Sequence, residues 1–415
     1  MKLRKKRKDF NVQFFIEELG KRVSLNENEA LTYQGFDTGE MLSLLRYMVD
    51  FPSNAEHLDK QLMTNRAIKE LLIKDTFTEK AFFEELKNVI TCELRTRERT
   101  FYVLTTMSLD MTNIGAHSYE LLGCKISLFK DSFSDRFTGR SDVIEALSED
   151  IDDGSDVRGY SRIEIEVKSR NENEAFSRAL DSLNILRALF SFAFNDVGII
   201  LGDFYKPINK IRLGKIHTLH DHNGVALNSP VFYEPEFSVT KAARYKKPDE
   251  LTRYVCTLLE RVRVCKFSRK IENALIRFVT SLDIEDKNVS VVKLWGALES
   301  LVVEGEPNCD LMPSRLSVFY KDSEFAKHIA MHIREYRNEH VHQGIGDDES
   351  VHRAYHLQRF FKSAVNYYIQ PIHAFPSLTE ANKLLDKAAL GQNKLHSELE
   401  TIRRAMKFMG YADGD

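Results

Sequence analysis

The 415-residue chain reads as α+β, with an N-terminal mixed helical and α+β region followed by a C-terminal all-α helical bundle. Three observations predict this. Apolar residues recur at helical spacing through residues 10–99. Runs rich in β-branched and aromatic residues, with partial alternation, begin near Thr100. From Pro248 onward, long amphipathic segments follow one another across short connections, as in a bundle. The chain therefore divides into a helical region, residues 1–99; an α+β domain of undisclosed role, 100–247; and a helical bundle with further C-terminal helices, 248–415.

In the first region, apolar residues at 41–48 mark a helix that Phe51 and Pro52 stop. Residues 62–73 and 82–90 repeat the pattern, the second opened by Thr78 with Glu79 at its cap. In the second region, residues 100–106 and 119–129 read as strands connected through 113–117. A polar segment follows and ends in an acidic stretch at 148–156. Its Asp150, Asp152 and Gly154 do not keep calcium-loop spacing, so it reads as an exposed loop. Residues 163–167 alternate as a half-buried strand. Residues 171–194 form a long helix that buries Ala175, Leu180, Leu183, Ile185, Leu186 and Leu189. Further strands are expected at 198–202, 211–217 and 231–233. His217, His220 and His222 with Asp221 match no usual metal-ligand frame, and Asn223-Gly224 reads as a turn. In the third region, helices are expected at 251–265, 270–282, 291–303, 316–320, 323–341, 350–369, 378–390 and 392–409. Gly305 to Pro307 end the third of these.

Composition narrows the function classes. Hydrophobic content of 43% and charged content of 29% describe an ordinary globular protein. A net charge of -3 gives no global basic signature, so any nucleic-acid contact must come from a local patch. Five scattered cysteines without CxxC spacing argue for a reducing compartment, and against a disulfide scaffold or a zinc ribbon. The basic residues 2–8 precede no apolar stretch, and no run approaches the ~18 apolar residues of a membrane span. A cytoplasmic protein without a membrane partner is expected.

Chemistry concentrates in the run from Arg334 to Gly344, which brings together two guanidiniums, the Asn338 carboxamide and two imidazoles. Arginine offers a fixed charge in a planar fork suited to phosphate oxygens. Histidine exchanges protons near neutral pH, and asparagine holds either group or a substrate oxygen. On a helix, Arg334, Arg337 and Val341 share a face, with His340 beside Arg337. His342 lies roughly 140° around from Arg337, so convergence requires the helix to fray or bend there. Gly344 is placed to end the helix, whose negative dipole end would raise a nearby imidazole's pKa. Arginine and histidine in a last helical turn also serve simply to offset that dipole. The pairs His328/His332 and His352/His356 stand one turn apart but lack carboxylate or cysteine partners in the motif, and read as surface or dimer contacts.

The run Tyr336-Arg337-Asn338-Glu339-His340-Val341-His342-Gln343-Gly344 resembles the Arg-x4-His signature of HEPN domains. Leu294-Trp295-Gly296-Ala297-Leu298-Glu299-Ser300-Leu301 resembles the apolar-Ala-Leu-Glu helix of the HEPN branch found in abortive-infection and anti-phage proteins. The similarity spans about 248–372; Gln343 departs from the direct His-Gly of many relatives. The resemblance implies a metal-independent endoribonuclease, without cofactor, that works as a homodimer through the bundle and as a toxic effector of anti-phage defence. Arg337 would stabilise transition-state charge, His342 would act as general acid or base, and Asn338 would orient the phosphate or His342. Arg334 would contact RNA, and His340 is the competitor for His342's role. The partners implied are an RNA substrate such as tRNA and a trigger or inhibitor. The alternative is a non-catalytic HEPN module for dimerisation or for nucleotide or RNA binding.

Overall fold

The computed structural model describes residues 3–27, 30–35, 37–52, 55, 58–111, 117–148, 159–195, 208–228, 231–303, 311–343 and 349–410. For 117, 147–148 and 341–343 it describes the backbone alone.

The first region runs β1 (Arg4–Lys5), α1 (Val12–Gly20), β2 (Val23–Leu25), β3 (Leu31–Tyr33), α2 (Thr38–Met48), β4 (Val49–Asp50), α3 (Lys60–Lys74) and α4 (Glu79–Arg95). Local chemistry sets its helix starts. Asp59 accepts from the Leu62 amide at 3.0 Å, and Thr78 Oγ1 accepts from the Ala81 amide at 3.2 Å. Ile16, Leu45, Ile68, Leu71, Phe82 and Leu86 are buried together in a core of these helices. The antiparallel ladders β1–β4 and β2–β3 add to the helical expectation. Strands of two or three residues are too short to show alternation, so sequence periodicity does not reveal them.

The second region contributes β5 (Arg99–Met107), β6 (His117–Leu121), β7 (Cys124–Phe129), α5 (Arg140–Ser148), β8 (Ser161–Ser169), α6 (Glu172–Phe194), β9 (Ile216–His220) and β10 (Phe232–Tyr233). The strands form a six-stranded antiparallel sheet in the order β10-β9-β5-β8-β7-β6. Two expectations are corrected. The single strand over 119–129 is a hairpin, because Leu122 (φ 48°) and Gly123 (φ 74°) turn the chain in two left-handed residues. The strand expected at 211–217 begins only at Ile216 and pairs through Thr218, Leu219 and His220 with Leu104, Val103 and Tyr102. The Asn223-Gly224 turn is present, with Gly224 at φ 89° and its amide donating to Asp221 O at 3.0 Å. The acidic stretch from Glu149 and the strand expected at 198–202 lie outside the described residues.

Helix α6 explains how the sheet joins the bundle. One sheet face presents Phe101, Val103, Ile163, Ile165 and Val167, which share a buried cluster with α6. From Ser182 to Phe192, every residue of α6 is buried, which a helix covered on one side only would not show. Its other side packs on the bundle, and the apolar cluster runs without a break from sheet to bundle. Of the residues expected to be buried on α6, Leu180 alone is only half-buried.

The third region is wholly helical among the described residues. It comprises α7 (Pro248–Val264), α8 (Ser268–Asp283), α9 (Lys287–Val302), α10 (Leu311–Ser317), α11 (Ser323–Gln343), α12 (Ser350–Tyr368), α13 (Leu378–Ala388) and α14 (Gln392–Phe408). Pro248 takes the first turn of α7, where its missing N–H costs nothing. The short helix expected at 316–320 lies earlier, at Leu311–Ser317, where Met312 and Leu316 are buried. Residues 305–307 and 344 fall outside the described residues. Trp295 of α9 and the stacked rings of Phe278 and Phe361, 4.2 Å apart, lie within this core.

Between sheet and bundle lies a buried polar network. The Arg187 guanidinium, 1% exposed, pairs with the Asp283 carboxylate at the end of α8. Asn209 Nδ2 donates to Asp283 Oδ1 at 2.7 Å, and Arg212 Nη2 donates to the Asp283 carbonyl at 2.8 Å. Desolvating such a pair is tolerated only when further hydrogen bonds satisfy the remaining polar atoms, as they do here.

Candidate functional site

Helix α11 turns Ala326, Ala330, Ile333 and Tyr336 into the core, a spacing that keeps one helical face inward. Arg337 follows at the border of that stripe and is 31% exposed. One of its guanidinium nitrogens, Nη1, donates to Asn338 Oδ1 at 3.0 Å. The other, Nη2, lies 3.8 Å from Glu299 Oε2 of α9. Its Nε is buried without a hydrogen-bond partner among the described residues. The two stretches singled out in the sequence thus meet in space, one supplying the cation and the other a carboxylate. At 3.8 Å and partly in water, this pair is worth at most about 1 kcal/mol, so a bound phosphate can displace Glu299.

Tyr336 anchors the motif from behind. Its hydroxyl donates to Asn288 Oδ1 in the first turn of α9. The guanidinium of Arg353, from α12, stands 3.9 Å from the Tyr336 ring centroid, a cation–π contact inside the protein. The His340 ring stacks on Tyr336 with centroids 6.0 Å apart and planes 17° from parallel. His340 is therefore positioned by Tyr336. Arg334 is half-buried one turn before Arg337, and Asn338 is exposed. The α11 backbone stays helical through Gln343, which keeps His342 roughly 140° around the axis from Arg337. The side chain of His342, and Gly344, lie outside the described residues.

Sequence reasoning missed Asn288 and Arg353 as supports, because their contacts to Tyr336 join residues far apart in the chain. Glu299 was legible only as part of a similar stretch. Also missed was a groove of about 840 Å³ bordered by α6 and α8 and lined in part by Arg178, Asp181, Arg269 and Glu272. Burial pushes the Asp181 and Glu272 carboxyls up, with Arg269 opposing the shift at Glu272.

The other histidines are placed separately. His217 is buried with Nδ1 2.6 Å from Thr105 Oγ1, while His220 Nδ1 lies 3.0 Å from the Gly224 carbonyl oxygen. Burial holds both below the usual imidazole range. His328 faces Glu324 at 3.2 Å in solvent, and His332 Nε2 accepts from Arg353 Nη2 at 3.2 Å. His356 is lowered by burial and by Arg359. Among the described residues, no group of three or more His, Cys, Asp or Glu is arranged to hold a metal ion. No helix there is long and apolar enough to cross a membrane.

No protein-family model, curated protein or solved structure matches the chain.

Proposed function

We propose that the protein is a metal-independent endoribonuclease of the HEPN type, acting in the cytoplasm as a toxic effector of anti-phage defence. The observation that carries this reading is the meeting of Arg337 and Asn338 on α11 with Glu299 on α9. It joins the Arg-x4-His run to the apolar-Ala-Leu-Glu helix, the two stretches that resemble one family. The half-buried guanidinium is held in place yet only loosely paired, which suits a group that must receive a phosphate.

In the proposed reaction the ribose 2′-hydroxyl attacks the adjacent phosphorus. A base removes the 2′ proton, the 2′-O–P bond forms and the P–O5′ bond breaks. A proton passes to the departing 5′ oxygen, leaving a 2′,3′-cyclic phosphate and a 5′-hydroxyl. Arg337 stabilises the extra charge on the phosphorane-like transition state, and Asn338 orients the phosphate or His342. His342 moves the proton. His340, fixed against Tyr336, is its competitor, and Arg334 contacts the RNA backbone. Two copies supply two motifs facing one cleft through the C-terminal bundle.

The test is incubation of purified protein with total tRNA and a structured RNA, with and without EDTA, beside Arg337→Ala and His342→Ala. The expected result is chelator-resistant cleavage with cyclic-phosphate ends, lost in both variants while their circular dichroism is unchanged. Cleavage retained in both variants, or abolished by EDTA in the wild type, refutes the assignment. The second reading, a non-cleaving dimerisation or RNA- or nucleotide-binding module, draws support from Arg337 already having Asn338 and Glu299 as partners. It predicts RNA shifted in a gel with every strand intact.

A further inference from the structure

Helix α14 departs from the pattern of every other long bundle helix. None of its residues is buried. It nevertheless carries an apolar stripe: Leu395 is 37% exposed, Leu399 44% and Ile402 55%, with Met406 half-buried and Met409, the capping residue just past the helix, 61% exposed. The helix follows Gly391, at φ 76°, and its Glu398 reaches back to Lys387 of α13. The bundle has been left behind, yet the apolar stripe has not.

The order of these residues bears on what could cover them. From Leu395 to Leu399, Ile402, Met406 and Met409 the steps are four, three, four and three. That is the d-a-d-a-d spacing of a heptad seam over two heptads, the line along which one helix of a coiled coil packs on another. In that frame Glu398 takes a g position and Arg403 the following e position, five residues on. In a parallel, in-register coiled coil, g of one helix faces e of the next heptad in its partner. Glu398, which Lys387 holds within its own chain, would then also face Arg403 of a second copy, and symmetry makes the same arrangement again. Arg403 has no ion-pair partner within its own chain among the described residues. In antiparallel pairing, e faces e, which sets the His396 and Arg403 positions against each other instead. The charges therefore favour copies of the same chain, side by side and pointing the same way.

We propose that α14 is a self-association element, forming a parallel, in-register coiled coil between copies of this chain. Leu399 at a followed by Ile402 at d is a combination that accepts more than two strands, so association beyond the dimer fits the same seam. The proposal stands apart from the nuclease reading: it rests on the spacing, exposure and charge of one helix, and cleavage is scored by a separate assay.

The experiment is sedimentation velocity and light scattering of the full chain across micromolar concentrations. The wild type is expected as a dimer or tetramer, and Ile402→Glu as a smaller assembly of unchanged helicity, either a monomer or the dimer that the rest of the bundle supplies. Glu398→Arg and Arg403→Glu should each weaken association by roughly tenfold or more, a change of about 1.4 kcal/mol per decade. The double exchange should restore it. Leu399→Cys should form a disulfide-linked dimer under mild oxidation where the wild type forms none, because in-register helices place the two 399 positions opposite each other. A monomeric wild type overturns the proposal, whether or not it binds anionic vesicles. So does an assembly whose mass Ile402→Glu leaves unchanged, or a double exchange no tighter than the singles.

Discussion

Replacing Asp283 with Asn removes the counter-charge of a guanidinium that has almost no access to water. Arg187 is 1% exposed and the Asp283 side chain 5%, so solvent cannot take over the lost interaction. The new amide would still occupy the site, but it presents one acceptor where Arg187 and Asn209 now share two oxygens. Breaking a buried pair from one side costs about 3–5 kcal/mol, against under about 1 kcal/mol for an exposed one. Taking about 4 kcal/mol and a urea dependence of about 2 kcal/mol/M lowers the midpoint by roughly 2 M. The protein carries its own reporter: Trp295 is its single tryptophan, 1% exposed, in the apolar cluster that spans sheet and bundle. Its fluorescence in a urea titration follows the transition to which the Arg187–Asp283 pair belongs. A paired substitution, Arg187→Met with Asp283→Leu, should recover part of the loss, because the Arg187 charge is then no longer buried, while Arg212 and Asn209 still lose the carboxylate beside them. A midpoint shift below about 0.5 M for Asp283→Asn would refute the reasoning, since the pair would then behave as though it were solvated.

Tyr336→Phe removes the hydroxyl bonded to Asn288 and should cost about 1 kcal/mol in the same titration; an unchanged midpoint would show that this bond does not tie α11 to α9. Burial holds His217 below the ordinary 6.5, so the unfolded chain binds a proton that the folded chain refuses. Stability from this group is complete above pH 6.5 and declines as pH falls below it, a slope that His217→Gln should flatten in thermal melts at a series of pH values. Equal slopes in the two proteins would remove His217 as the cause. Leu122→Asn places a residue that tolerates left-handed geometry at φ 48°, just before Gly123. It should stabilise the hairpin by about 0.5–1 kcal/mol, and a lowered thermal midpoint would refute the turn assignment.

The sequence by itself determined most of the helices and the order of the architecture, although α5 lies in a segment that reads only as polar and α10 begins before its expected position. A helix is written in residues three and four apart and capped by neighbours, so α3, α4 and α6 begin beside Asp59, Thr78 and Asn171 as local chemistry requires. The adjacency of Arg337 and Asn338 was legible for the same reason, since no distant residue is needed to bring them together. The β5–β8 pairing extends the alternation visible at 163–167. Strand boundaries were less legible, because pairing partners decide them. The hairpin at Leu122-Gly123 carries leucine where a turn signal would be expected, and β9 starts where β10 pairs with Ile216 and His217, before β5 takes over at Thr218.

Tertiary structure alone decided what surrounds those local features. Glu299 reaches Arg337, and Asn288 holds Tyr336, only because α9 and α11 pack together. Arg187 finds Asp283 across 96 residues of chain, and nothing near either residue announces the other. The same holds for α14: its heptad spacing is in the sequence, but that its stripe lies uncovered by the other described residues is visible only once the other helices have been placed. Local hydrogen bonding and periodicity are encoded residue by residue, whereas burial, ion pairing and exposure depend on which distant surface arrives.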